Sequence, residues 1–101
     1  MPKFQWRSFT IDPYGEVVQT VHPKQPDLAW LQEQVDGWIE TVPYFTKFQG
    51  RTRGTAYANE EGIIKGMPFN RTATEAYGRC FEFAQNLYGP VVITFREKIE
   101  A

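Results

Sequence analysis

Two adjacent carboxylates, Glu60 and Glu61, come nearest to acid–base or metal chemistry by residue type and spacing. Either role needs carboxylates that converge with further ligands, whereas adjacent side chains on a turn usually diverge. His22 is the only histidine, so a catalytic triad has no other histidine to act as its base. Cys80 is the only cysteine, which excludes a cysteine-rich metal site within one chain. We therefore predict no catalytic residues, no metal site and no cofactor, and we interpret the chain as non-enzymatic.

Asn70 marks the start of the longest helical pattern, and a helix start is where backbone donors converge on an anion. The amides of Arg71 and Thr72, together with the Arg71 charge, make Asn70, Arg71 and Thr72 a candidate site for a nucleotide-like ligand. The alternative is that Asn70 only caps the helix. No glycine-rich phosphate loop accompanies it.

A basic segment between two predicted strands contains Lys47, Arg51 and Arg53, with Phe48 among them. Such a segment can pair phosphates and stack a base, but cations on an acidic domain fit an acidic protein surface better. Exposed aromatic residues are the usual anchors of a protein interface. The candidate interface residues are Trp6, Tyr44, Lys47, Phe48, Arg51 and Arg53.

The composition is that of one folded domain, predicted to span residues 1–101. Of the 101 residues, 42% are hydrophobic and 23% charged, and the formal net charge is -1. A net charge of this sign and size gives no positive electrostatic potential that would attract nucleic acid or an anionic membrane. The lone Cys80 fits a reducing compartment, and no segment has the length of a signal peptide or a membrane span. We expect a cytoplasmic protein.

The first half of the chain reads as a hairpin, a helix and a strand. Two β-rich runs flank the turn residues Asp12–Gly15, and Pro26–Asp36 has apolar residues at helical spacing. Trp38–Phe45 reads as a strand, in which Pro43 requires an edge or a bulge. The apolar residues of the first run change parity, which predicts either a bulge or apolar groups on both faces.

The second half adds strands around a longer helix. We predict a hairpin in which Asn59–Gly62 joins Thr55–Ala58 to Ile63–Lys65, with Gly62 at positive φ. The helix starts at an Asn70 cap or at a competing capping box, Thr72–Glu75, two residues later, and Gly89-Pro90 stops it. Val91–Phe95 is apolar enough for a central strand. The predicted fold class is α+β: an antiparallel or mixed sheet of about five strands with two helices packed on one face.

Four sequence blocks in this order resemble domain of unknown function family 3846, found largely in bacteriophages. The blocks are Leu31–Glu40, Asn59–Gly62, Gly66–Asn70 with Ala73-Thr74, and Gly89–Val92. The resemblance runs from about Leu28 to Ile93. The chain departs from the family pattern at Asp36-Gly37, where the family has a Gly-Gly pair, and in a longer connection over residues 46–54.

The resemblance implies a phage or prophage origin and an accessory role in the cytoplasm of the infected bacterial host, and it carries over no catalytic residues. With no catalytic group in the chain, we predict a protein that binds a host protein and inhibits or redirects it. The alternative is a homo-oligomeric binder that sequesters a nucleotide-like signalling molecule at Asn70.

Overall fold

The computed structural model describes residues 3–99, which form a five-stranded antiparallel sheet with a helix on each face. Hydrogen-bonded strands follow the order β2-β1-β5-β4-β3. The α+β class is thereby confirmed. In chain order the elements are β1 (Lys3–Ile11), β2 (Val17–His22), α1 (Leu28–Val35), β3 (Ile39–Val42), β4 (Thr55–Asn59), α2 (Arg71–Cys80) and β5 (Val91–Ile99).

The opening hairpin forms as predicted, and Asp12 closes it. Its carboxylate accepts hydrogen bonds from the amides of Tyr14 (2.8 Å) and Glu16 (2.9 Å), the local pattern that favours Asp at turns. The pairing of β1 with β5 runs without interruption from Lys3 to Ile11. The change of parity in β1 therefore reflects apolar groups on both faces and not a bulge.

β5 is the central strand, as predicted, and its two faces show where the helices pack. Val91, Ile93 and Phe95 belong to the larger core beneath α2, whereas Val92 packs with Leu31 of α1. Successive side chains of a strand point to opposite faces, so the helices cover opposite sides of the sheet. The prediction of both helices on one face is wrong, because a strand that is apolar at every position needs cover on both sides.

β3 is an edge strand, in agreement with the prediction from Pro43, which directly follows it. The predicted strand Ile63–Lys65 does not form; residues 60–66 are a series of turns. The amides of Lys65 and Met67 donate to the carbonyls of Glu61 and Gly62 at 2.8 and 2.9 Å, which curls the segment on itself. Gly62 is not among the residues with positive φ.

α2 ends at Cys80, well short of Gly89, although apolar residues continue at helical spacing. The chain from Phe81 onward folds back along α2 because its backbone bonds to the start of that helix. The Asn70 amide donates to the Leu87 carbonyl (2.8 Å), and the Leu87 amide donates to Thr74 Oγ1 (2.9 Å). If α2 continued straight past Cys80, Leu87 would lie far from Asn70 and Thr74 and these hydrogen bonds could not form. Neither helix of the described chain has the length and apolarity needed to cross a membrane.

Candidate functional site

Asn59, the first residue of the predicted turn, is a buried connector between β4 and the end of α1. Its amide group donates to the carbonyls of Val35 and Asp36, both at 3.1 Å, and its oxygen accepts from the Glu61 amide at 2.8 Å. The last carbonyls of a helix lack hydrogen-bond donors within the helix, and the Asn59 side chain donates to two of them. The first two sequence blocks are thus joined by one side chain.

Asp36 adopts a left-handed conformation, with φ 59°, at the C-terminal cap of α1. Gly is the residue that takes this conformation at least cost, and Asp and Asn tolerate it better than most others. This explains how Asp36 can stand where the family pattern has glycine. Gly37 follows it, and a Cβ there would lie 2.7 Å from Asn59 Nδ2.

Asn70, the first of the two predicted helix starts, is the N-cap of α2, with its side-chain oxygen 3.0 Å from the Ala73 amide. Its side-chain amide donates to the carbonyls of Ile11 and Gly89 at 2.9 Å each, and the residue is wholly buried. Both side-chain donors of Asn70 are therefore used, and its burial keeps a ligand from reaching the side-chain oxygen. Arg71 is exposed and Thr72 half-buried.

Glu60 and Glu61 do not converge on a ligand. Glu60 is exposed, and Glu61 faces Lys65 at 3.9 Å one helical turn away. Within residues 3–99 no three Asp, Glu, His or Cys side chains come together as a set of metal ligands.

The His22 side chain contacts Ser8, a residue type that can act as a nucleophile. Its Nε2 lies 3.0 Å from Ser8 Oγ, and its ring packs edge-on against Trp30 at 4.5 Å. Burial lowers the pKa of His22. Ser8 has no exposed surface, so a substrate cannot reach its hydroxyl; the pair ties β1 to β2 beneath α1.

The predicted interface residues do not form one surface. Phe48 is buried at 8% exposure and packs edge-on against Phe9 at 5.3 Å, so its predicted exposure is wrong. Tyr44 is 66% exposed and rests on Phe81 at 4.7 Å. Trp6 is half-buried, and its parity in β1 places it on the α1 side of the sheet, away from the other five.

The basic segment folds as a small hairpin over residues 46–54 and is not a loose loop. Phe48 and Arg51 exchange backbone hydrogen bonds of 3.1 and 3.0 Å, and Gln49 and Gly50 between them both have positive φ, as a two-residue hairpin turn requires. Lys47 and Arg53 remain exposed. We refer to residues 46–54 as the basic hairpin.

A polar cluster on the α2 side of the sheet holds Glu97, which had no signal in the sequence. The Glu97 carboxylate accepts from Gln5 (2.7 Å) and Arg7 (2.9 Å), and Arg51 of the basic hairpin lies 3.7 Å away. Partial burial disfavours the charged form, but these three partners outweigh it and lower the pKa of Glu97. The cluster fastens the basic hairpin to β1 and β5.

A partly apolar cleft of about 550 Å³ lies beside β3, and we call it the edge cleft. Its lining includes Val42, Ala58, Tyr77, Phe81, Phe83, Leu87, Ile63 and Ile64. Ile63, Ile64 and Phe83 are 73%, 84% and 71% exposed. From the sequence, Ile63 and Ile64 were expected in a strand and Phe83 in a helix, so their place in a cleft was not predicted. The signal was the pair Ile63-Ile64 between two close glycines, since so short a segment cannot bury both.

Two of the sequence blocks contribute to the walls of the edge cleft, through Glu40 and through Asn59, Glu60 and Gly62. Gly62 allows a close approach here, because a Cβ on it would lie 3.0 Å from the Tyr88 carbonyl oxygen. The residues that carry the resemblance thus shape this cleft as well as the sheet.

No curated protein and no solved structure is significantly similar to this chain. A family model described as Domain of unknown function (DUF3846) matches residues 6–100. The match includes all four sequence blocks and extends beyond the predicted limits of Leu28 and Ile93 to take in the opening hairpin. Since it covers nearly the whole sequence, the chain belongs to this family of domains of unknown function.

Proposed function

We propose that this chain is a bacteriophage accessory protein that binds a protein of the bacterial host in the cytoplasm of the infected cell and inhibits or redirects it, without catalysing a reaction. The phage setting comes from the resemblance of the four blocks. The binding role is supported by one observation, the edge cleft beside the open strand β3.

The backbone of β3 has a row of hydrogen-bonding groups free to pair with another strand. The Glu60 amide donates to the Trp38 carbonyl, and antiparallel pairing alternates, so the polar groups of Ile39 and Thr41 point away from β4. Among residues 3–99 no other strand pairs with β3. An extended segment of a partner can therefore add to the sheet here.

The walls of the edge cleft indicate which segment would fit. A strand added at β3 directs every second side chain toward the α2 side of the sheet, where the cleft offers Val42, Phe81 and Leu87. Glu40 and Glu60 also line the cleft, and no Lys or Arg does so. The partner segment is accordingly extended, apolar at alternate positions, and basic at one end or between the apolar residues.

The exposed residues of the edge cleft strengthen this proposal. Ile63, Ile64 and Phe83 expose large apolar groups around one concavity, whereas apolar side chains scattered singly on a surface need no explanation. Anchors of this kind carry most of the binding energy at interfaces when a partner covers them.

The test is capture of a partner from bacterial lysate by four forms of the protein. Thr41→Pro removes an outward-pointing amide of β3 and leaves the ladder to β4 intact. Ile64→Asp changes the cleft alone. The control is Val21→Pro on β2, the opposite edge strand, where alternation from the Asp12–Glu16 hydrogen bond also places the amide outward.

We expect wild type and Val21→Pro to recover the same stoichiometric partner, and Thr41→Pro and Ile64→Asp to recover at least about tenfold less. Amide exchange at Ile39 and Thr41 should slow in the complex. Equal capture by all four folded proteins would show that the β3 edge is not the binding surface. The activity of the recovered partner, measured with wild type and with Thr41→Pro, then distinguishes inhibition from redirection.

A further inference from the structure

A second cavity, of about 610 Å³, lies between the basic hairpin and α2, on a different part of the surface from the edge cleft. Its size falls within the range of small-molecule sites, roughly 300 to 1,000 Å³. We call it the hairpin cavity. Its lining comes from the start of β2, from residues 47–52 of the basic hairpin and from one face of α2.

The inner walls of the hairpin cavity are apolar. Val17, Phe48, Ala76 and Cys80 line it, and the Phe48 ring is fixed from behind by its edge-on contact with Phe9. A wall of this kind suits a flat, apolar group, which gains by leaving water and finds its contact surface already formed.

The rim of the hairpin cavity is cationic. Lys47, Arg51 and Arg79 line it and no carboxylate of residues 3–99 does, although the chain as a whole has a net charge of -1. In the described part of the chain Lys47 and Arg79 have no ion pair, and Arg51 reaches Glu97 only at 3.7 Å. The hydroxyls of Thr52 and Thr72 also line the cavity. Cations and hydroxyls of this kind are donors for a phosphate.

The hairpin that forms one wall is held in place before any ligand binds. The Gly54 amide donates to the Thr46 carbonyl at 2.8 Å and closes the basic hairpin at its base. The Cys80 thiol lies 3.6 Å from the Lys47 carbonyl and joins the hairpin to α2. A preformed wall lowers the ordering cost of binding.

From these features we infer that the hairpin cavity binds an aromatic organic phosphate, of the size and chemistry of a nucleoside monophosphate. The ring lies against Phe48 and Ala76, and the phosphate is held by Lys47 and Arg79. This site differs from the predicted one at Asn70, whose side chain is wholly buried and uses both its donors within the fold; of the three residues predicted there, only Thr72 lines the cavity.

The experiment is a calorimetric titration of the purified full chain with AMP and UMP. Adenosine serves as the probe without charge, and inorganic phosphate as the probe without a ring. We expect at least one of the nucleotides to bind with a Kd below about 1 mM, and both partial probes to bind at least about tenfold more weakly. Raising the salt concentration should weaken nucleotide binding, since the contact is partly ionic.

Two variants locate the site. Lys47→Ala with Arg79→Ala removes the two unpaired cations of the rim and should weaken nucleotide binding at least about tenfold. The matched control, Lys24→Ala with Arg96→Ala, removes two exposed cations outside the cavity and should leave binding unchanged.

Three results would overturn the inference: no binding of either nucleotide below about 1 mM, adenosine binding as tightly as AMP, or equal weakening by the two double variants. None of them bears on the β3 edge, because Thr41→Pro alters neither the rim nor the walls of the hairpin cavity. The two proposals therefore fail separately.

Discussion

The side-chain amide of Asn59 donates a hydrogen bond of 3.1 Å to the carbonyl of Asp36, 23 residues earlier in the chain. Asn70 makes the corresponding connection in the other direction, to the carbonyl of Gly89, 19 residues later. The four sequence blocks thus form two pairs, each joined by one buried asparagine. The residues that carry the resemblance thus include the two asparagines that join distant parts of the fold.

Replacing Asn59 with alanine should destabilise the fold by about 2–3 kcal/mol, because two carbonyls at the end of α1 and one turn amide lose their partner in a buried place. The measurement is urea unfolding of both proteins. Asn86→Ala is the control, since Asn86 is exposed and should matter by less than about 0.5 kcal/mol. If the two variants are equally stable, Asn59 does not hold α1 in place.

Asn70→Asp separates the two roles of the Asn70 side chain, which accepts a hydrogen bond at the helix cap and donates two to backbone carbonyls. Aspartate keeps the acceptor for the Ala73 amide, but it turns a carboxylate toward the carbonyls of Ile11 and Gly89. The second carboxylate oxygen then has no donor and faces two carbonyl oxygens in a buried place, which costs about 3 kcal/mol or more, so we expect Asn70→Asp to be less stable at neutral pH than Asn70→Ala.

The stability of Asn70→Asp should also depend on pH. Burial beside two carbonyl oxygens raises the pKa of the new carboxyl in the folded state, so protonation favours folding and the deficit relative to Asn70→Ala narrows as the pH falls. Unfolding of both variants from about pH 7 to pH 4 checks this. A deficit that stays constant over that range would indicate that the donors of Asn70 contribute little.

The sequence predicted those parts of the fold that depend on neighbouring residues. The Asp12 turn, the Asn70 cap and the edge position of β3 each follow from one residue type and its immediate context. The turn at Asn59 does form, since the Gly62 amide donates to the Asn59 carbonyl at 3.1 Å. The strand expected at Ile63–Lys65 was wrong, because the amides of Lys65 and Met67 bond back to the turn and curl the chain on itself. The two-sided burial of β5 had a signal, the unbroken apolar run from Val91 to Phe95.

The candidate sites were harder to predict because their residues meet only in the folded chain. Gln5 and Glu97 are 92 residues apart in sequence and 2.7 Å apart in space. The edge cleft depends on α2 ending at Cys80, and the spacing of Phe81, Ala84 and Leu87 argued for a longer helix. A tertiary contact, the return of Leu87 to the start of α2, overrides that periodicity.

Gly54 and Gly78 should respond in opposite directions to replacement by alanine. A Cβ on Gly54 would lie 2.5 Å from the ring of Phe95, so Gly54→Ala should cost about 1–3 kcal/mol. A Cβ on Gly78 meets nothing within 4 Å, and Gly78 lies inside α2, so Gly78→Ala should stabilise by about 0.5–1 kcal/mol.

Thermal unfolding of the two alanine variants measures this difference, since 1 kcal/mol shifts the Tm of a domain of this size by about 4–8 °C. Each variant serves as the control for the other. A Tm for Gly54→Ala at or above that of wild type would mean that Phe95 can move aside, and that the base of the basic hairpin is less tightly packed than the distances indicate.

Glu97→Gln should reduce stability at neutral pH and lose that effect in acid. Partial burial of Glu97 opposes its charge, but the hydrogen bond from Gln5 and the charges of Arg7 and Arg51 prevail, so its pKa in the folded state lies below the ordinary value of 4.5. A lowered carboxyl pKa stabilises the fold above the unfolded pKa, and the contribution disappears as the pH falls through the folded pKa.

We therefore expect Glu97→Gln to be about 1–2 kcal/mol less stable than wild type near pH 7, and the difference to approach zero near about pH 3. Urea unfolding across this range provides the measurement. Glu75→Gln on the exposed side of α2 is the control, because Glu75 makes no ion pair among residues 3–99. A difference between Glu97→Gln and wild type that does not change with pH would mean that the carboxylate charge does not fasten the basic hairpin to the sheet.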